Sequence, residues 1–337
     1  MNTQQQREAW LAQTSEPIIE PELQICDAHH HLWEYPDNRY LMDEALADFS
    51  AGHRVVKTVY VECMQHYWAS GAVELRAVGE TEHIDALSRP TQQANKACRV
   101  AAGIVGFADL RLGEDVLPIL KMHCESSTRF RGIRYAAACH SSDKIHNSHT
   151  NPPPQLLSDR KFLDGFATLE SLNLSFDAWL YHTQLDELVA LAKAFPKIKI
   201  ILNHVGGPLG IGPYRGCRTE VFKAWRASLT AIADCDNVFV KLGGLNMSIA
   251  GFDWQKQPAP PTSIDLAEAI TPYFNTCIEL FGAQRCMLES NFPVDRVAGS
   301  YAVLWNAYKH ATAKHMDAER ASLFYQTAVD VYRLDNF

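Results

Sequence analysis

Residues 25–33 of this 337-residue chain read Ile-Cys-Asp-Ala-His-His-His-Leu-Trp. In a β-strand successive side chains point to opposite faces, so His29 and His31 share one face and His30 takes the other. Two imidazoles so placed can ligate one divalent ion, each at ~2.0–2.1 Å for zinc. A lone His-x-His is a weak signal; behind Asp27, at the end of an apolar run, it is a stronger one. Trp33 follows closely enough to wall the same pocket. Two more histidines close apolar runs, His182 in W-L-Y-H-T-Q-L and His204 in I-I-L-N-H-V-G-G. Glu62, Asp109, Arg134, Lys241 and the pair Glu289 and Asn291 stand in similar places. The last two share a face, with Glu289 about 7 Å deeper. Thr58, Tyr60 and Glu62 alternate with Val59, Val61 and Cys63, which predicts the polar set inward and the apolar set toward the helices. Lys241 either enters the mouth or runs outward. His146 and His149 lie in an Asn/Ser/Pro-rich stretch and read as solvated or lid residues.

These residues need a scaffold that brings many strand ends together. Short apolar runs at 23–28, 55–62, 100–109, 130–135, 174–182, 198–204, 238–243 and 286–291 read as strands. Runs such as K-I-K-I-I-L-N-H have the unbroken apolar character of parallel strands covered on both faces. Helical periods lie between them. Leu185, Leu188, Val189, Ala192 and Phe195 form one stripe that stops at Pro196, and 114–125, 160–172, 219–234, 264–281 and 299–313 read similarly. A last helix is expected after Asp317, taken as its N-cap. Eight strands alternating with helices predict a (β/α)8 TIM barrel over residues 23–337, preceded by an N-terminal arm over 1–22. A doubly wound sheet is the alternative, but no G-x-G-x-x-G, G-x-x-x-x-G-K-[ST] or G-x-S-x-G is present. Long loops are expected at 140–154 and 206–216. In such a barrel the strand C-termini carry the chemistry.

Composition narrows the function classes. The chain is 47% apolar and 21% charged, with a formal net charge of −8, the profile of a globular protein with a large core. An acidic chain without a basic tract argues against nucleic acid, and no run approaches the ~18 apolar residues of a membrane span. The polar first residues lack a secretory pattern, so a cytoplasmic location is expected. Nine cysteines without a C-x-x-C pair read as buried, reduced thiols. The expected partner is a small molecule, with no nucleic acid and no membrane; a homo-oligomer stays open.

The motifs D-A-H-H-H-L-W (27–33), A-G-I-V-G-F-A-D-L (102–110), F-R-G-I-R (130–134), L-N-H-V-G-G-P (202–208) and E-S-N-F-P-V-D (289–295) occur in the order of a known group. The chain resembles the amidohydrolase superfamily, in its branch of small barrels that includes pyrone-dicarboxylate and sugar lactonases. The resemblance implies a metal pair at His29 and His31, with His182 as a third ligand in metal-bearing branches, although some lactonases of the branch lack that ligand and work without metal. It implies that His204 polarises the carbonyl or assists proton transfer, and that Arg134 grips a substrate carboxylate or lactone oxygen; a structural ion pair is the alternative for Arg134. One departure stands out. The family's eighth strand ends in Asp, in G-S-D-x-P; here Asn291 takes that place, and an amide cannot accept a proton near neutral pH. Glu289, Glu62 and His204 remain as candidate bases. The expectation is a hydrolase of a lactone or cyclic ester, using a divalent metal, zinc foremost, on an anionic substrate held by Arg134, Trp33 and Lys241. A decarboxylase or hydratase of an unsaturated acid, and a non-catalytic binding barrel, are the alternatives.

Overall fold

The computed structural model describes residues 3–93 and 97–335. Eight parallel strands follow one another around a barrel in chain order: β1 Gln24–His30, β2 Arg54–Val61, β3 Arg99–Gly106, β4 Phe130–Ala136, β5 Ser175–Trp179, β6 Ile200–Leu202, β7 Val238–Leu242 and β8 Cys286–Leu288. The ring closes just beyond β8, where His31 N donates to Phe292 O (2.7 Å) and Asn291 N to His29 O (2.9 Å). Helices lie between the strands, among them Val78–Ser88, Arg160–Ser171, Leu185–Ala194, Arg218–Ala233 and Ser263–Phe281. The fold is the expected (β/α)8 TIM barrel. Strands end sooner than their apolar runs, because the residues that close those runs leave the ladder. His204, Val205 and Asn291 have φ of 55°, 47° and 52°, conformations a strand does not hold.

The main core fills the layer between strands and helices; Tyr60, Ile104, Ile133, Phe176 and Ile200 pack there. A second core lies inside the barrel. Cys26, Ala28, Val59, Val61, Val105, Ile201 and Met287 meet Ala328, Val329, Val331 and Tyr332 of the helix Thr327–Tyr332. Lys57, near the start of β2, donates to Leu334 O at 3.2 Å, which places this helix as a plug at the N-terminal end of the barrel. The plug reverses the expected facing of β2. Val59 and Val61 point inward against it, while Tyr60 reaches Glu80 on a surrounding helix (2.8 Å) and Thr58 meets outward-facing His30. Barrel interiors are packed cores, so inward positions need not be polar. The last helical segment begins at Asp317 itself, with Met316 at the N-cap position, and passes through a π turn at Ser322–Gln326.

The N-terminal segment carries a helix, Thr3–Leu11, and is tied to the 257–263 loop through Trp10 Nε1 to Gln257 O (3.1 Å) and Thr14 Oγ1 to Pro260 O (2.9 Å). All nine cysteines are unpaired. Among the described residues no helix is long and apolar enough to cross a membrane.

Candidate active site

At the end of β1 the side chains alternate. His30 turns outward, its Nε2 2.8 Å from Thr58 Oγ1 and its ring against Phe49 and Tyr60. His29 and His31 turn inward, with their Nε2 atoms 3.1 Å apart. His31 donates from Nδ1 to Val61 O at 2.8 Å, so its Nε2 carries a lone pair. Trp33 stacks on the His31 ring at 5.8 Å and 15°. Burial, foremost, and then the charges of Lys241 near His29 and Arg134 near His31 hold both imidazoles well below the usual histidine range, hence neutral at pH 7.

Glu289, fully buried at the end of β8, sits between two histidines. Its Oε1 accepts from His204 Nδ1 (2.7 Å) and from His204 N (3.0 Å), which leaves His204 Nε2 as the ring's open acceptor. Its Oε2 lies 3.0 Å from His29 Nδ1, yet it is buried without a hydrogen-bond partner. Two glycines after β7 permit this approach. A Cβ on Gly243 would lie 2.4 Å from Glu289 Cγ; one on Gly244 (φ 67°) would lie 2.5 Å from the His204 ring.

Lys241 enters the interior and is fully buried, with Nζ 2.6 Å from Asp177 Oδ2 and 3.3 Å from His29 Nδ1. Asp177, on β5, also accepts from Asn203 Nδ2 (3.0 Å) and from Tyr332 OH of the plug (2.8 Å to Oδ2). The protons form a consistent chain. Lys241 donates to His29 Nδ1, His29 Nε2–H donates to His31 Nε2, and His31 donates to Val61 O. Glu289 Oε2 is left without a donor. Moving the His29 proton from Nε2 to Nδ1 would supply that oxygen with a donor and free two Nε2 lone pairs on one side. That is the tautomer a divalent ion requires. His29, His204 and Glu289 also offer ligand atoms within 4.8 Å of one another. The donor set of imidazoles and a carboxylate suits zinc.

The remaining expected residues divide. Arg134, on β4, donates from Nε to Glu62 Oε1 (2.7 Å) and from a terminal nitrogen to Glu62 O (2.5 Å), so Glu62 occupies the guanidinium expected to hold substrate. His149 reaches over this pair, with Nε2 3.6 Å from Glu62 Oε1. His182 stands apart from His29 and His31 in the contacts it makes. Its Nδ1 accepts from Leu209 N at 3.4 Å and its ring meets Tyr214 at 5.0 Å. Burial, with His140 nearby, lowers its pKa to about 4. His182 belongs to the loops over the mouth, where Ala138, Ile145, Tyr181 and Leu209 form a small apolar cluster. Asn291 donates from Nδ2 to Asp295 Oδ1 (2.8 Å); burial raises that carboxyl to about 8. Three groups here escaped the sequence reading: Asp177, Asp295 and Tyr332. The alternation in S-F-D-A-W pointed to Asp177, and the D closing E-S-N-F-P-V-D to Asp295. Nothing local pointed to Tyr332.

The barrel that carries these strand-end residues is shared with known proteins. The crystal structure of an amidohydrolase from Burkholderia multivorans with bound zinc has the same fold, with a TM-score of 0.70 at 23% identity over 92% of this chain and 99% of that one. L-Fucono-1,5-lactonase of Burkholderia ambifaria is 28% identical over 267 residues, 74% of this chain and 78% of the lactonase. Protein y4mH of Sinorhizobium fredii is 31% identical over 328 residues, 93% of this chain and 99% of that protein. The sequence model of the amidohydrolase family matches residues 26–334, from the first strand to the plug, and the chain belongs to that family.

Proposed function

We propose that this protein is a hydrolase that opens a neutral, hydroxyl-bearing lactone at the mouth of the barrel. The observation that carries this reading is the Glu289–His204 pair. A carboxylate on Nδ1 fixes the tautomer and raises the basicity of Nε2, the arrangement of a general base. His204 Nε2 takes a proton from water as the water oxygen bonds to the lactone carbonyl carbon. It returns that proton to the ring oxygen as the C–O bond breaks, so products are the hydroxy acid and regenerated imidazole. Asn291, held through Nδ2 by Asp295, orients the water through Oδ1. Trp33 walls the site beside His31. A divalent ion such as zinc, held by His29 and His31 with Glu289 behind them, would supply Lewis-acid polarisation of the carbonyl and lower the pKa of bound water. His182, neutral and among the mouth loops, contacts substrate rather than the ion.

The sugar-lactonase relatives support the reaction class, and the pairing of Arg134 with Glu62 supports a neutral substrate over an anionic one. The test is turnover of a panel of aldono-1,4- and 1,5-lactones, followed by proton release, with and without prior chelation and zinc restoration. Opening of a neutral lactone above the spontaneous rate is expected, and chelation should reduce it. Turnover of unsaturated carboxylic acids instead, or none of any lactone, refutes the proposal.

A further inference from the structure

Arg111, Lys241 and Arg134 stand near the strand ends, and each already faces a carboxylate. Arg111 binds both oxygens of Asp109. Lys241 pairs with Asp177 deep against the plug. Arg134 and Glu62, on neighbouring parts of the mouth, are 8% and 0% exposed, and His149 of the covering loop reaches over them. Glu62 holds Arg134 in two ways, through its carboxylate and through its backbone carbonyl. Its second oxygen, Oε2, is buried without a hydrogen-bond partner.

We propose that Glu62 is the specificity-determining residue of this site: by cancelling Arg134 it admits neutral, hydroxyl-bearing ligands and rejects carboxylates. This rests on the reading of the mouth as a small-molecule site. Glu62 takes the Nε–H and one terminal N–H of Arg134 and neutralises its charge. A ligand carboxylate must therefore displace Glu62, leaving a buried carboxylate without a counter-ion, or crowd a second negative charge beside it around a single guanidinium. It must also approach Oε2, a fixed negative charge with no donor of its own. A hydroxyl can donate to Oε2 and removes the deficit instead. Glu62→Gln keeps both anchors on Arg134, the side-chain oxygen and the backbone carbonyl, and removes only the charge. The same mouth then becomes a carboxylate subsite.

Binding is read directly, through tryptophan fluorescence or calorimetry, with 2-pyrone-4,6-dicarboxylate as the anionic probe and an aldono-1,5-lactam, resistant to opening, as the neutral one. The wild-type protein should bind the lactam and bind the dicarboxylate at least roughly 100-fold more weakly than Glu62→Gln does, the scale of breaking a buried pair. The double variant Glu62→Gln with Arg134→Gln should lose the gain. Equal dicarboxylate affinity in wild type and Glu62→Gln, or a gain that survives in the double variant, overturns the inference. If Glu62→Gln does not fold, tighter wild-type binding of the dicarboxylate than of the lactam overturns it alone. Lactone turnover is scored separately: a charge-dependent binding shift without any lactone opening refutes the hydrolase reading and leaves the role of Glu62 standing.

Discussion

Replacing Glu289 with glutamine changes a single atom, and the surrounding bonds dictate which one. Oε1 accepts from both His204 N (3.0 Å) and His204 Nδ1 (2.7 Å), so the new side chain must keep its carbonyl there. The NH2 then falls where Oε2 stood, 3.0 Å from His29 Nδ1. An amide nitrogen in that place donates to Nδ1 and locks the His29 proton on Nε2, facing His31. That tautomer has no pair of lone pairs to offer an ion. Losing the group that orients a metal-binding histidine lowers affinity about 10–100-fold, or roughly 1.4–2.7 kcal/mol. With an amide behind it, His204 Nε2 becomes a weaker base, and turnover should fall about 10²–10⁴-fold. Stability should move the other way. The substitution removes a buried charge and an unpartnered oxygen, so the metal-free protein should gain up to about 1–3 kcal/mol. Zinc competition against a chromogenic chelator, lactone turnover and urea unfolding in chelator measure the three quantities. Unchanged zinc affinity in Glu289→Gln together with a loss of stability would refute the tautomer argument.

Gly244→Ala and Gly216→Ala form a matched pair. Both glycines have positive φ, 67° and 78°, but a Cβ at 216 has nothing within 4 Å whereas one at 244 lies 2.5 Å from the His204 ring. Each should lose about 1 kcal/mol from backbone strain, and only Gly244→Ala should also lose turnover, by ~10²-fold or more from a misplaced base; equal activity in the two variants would exclude His204 from the chemistry. Asp295 gives a pH prediction. Its folded pKa is raised from 3.8 to about 8, so the folded protein binds more protons than the unfolded chain across that window. Stability must therefore fall as pH rises, by at most about 1.4 kcal/mol per unit from this group. Asp295→Asn should flatten the dependence of Tm on pH between pH 5 and 8 relative to the natural protein; parallel profiles would mean that Asp295 is ionised in the fold.

The barrel was legible because each strand is a short apolar run and each helix a stripe of period 3.6, both local signals. That His29 and His31 share a face is legible for the same reason; that it is the inner face depends on a register shift between Asp27 and His30, since Cys26 and Ala28 face inward too. What a local reading misses or leaves open has one cause. Alternation predicts Thr58 and Tyr60 inward only for a polar interior; that interior is filled by Val329, Val331 and Tyr332 from about 270 residues away in sequence, so Val59 and Val61 face it. For Arg134 the choice between substrate and an ion pair stays open in the sequence because its partner Glu62 sits 72 residues earlier, and the ring order β2, β3, β4 brings the two strand ends within reach. The orientation of Lys241 is open in the sequence because it depends on Asp177, two strands away. Charges in a barrel mouth are neutralised across strands, and no window along the chain contains both members of a pair. For this family of sites, a strand-end cation read from sequence is therefore better treated as half of an unknown ion pair than as a free ligand for substrate. The position that decides its availability is the carboxylate on a neighbouring strand end, here Glu62.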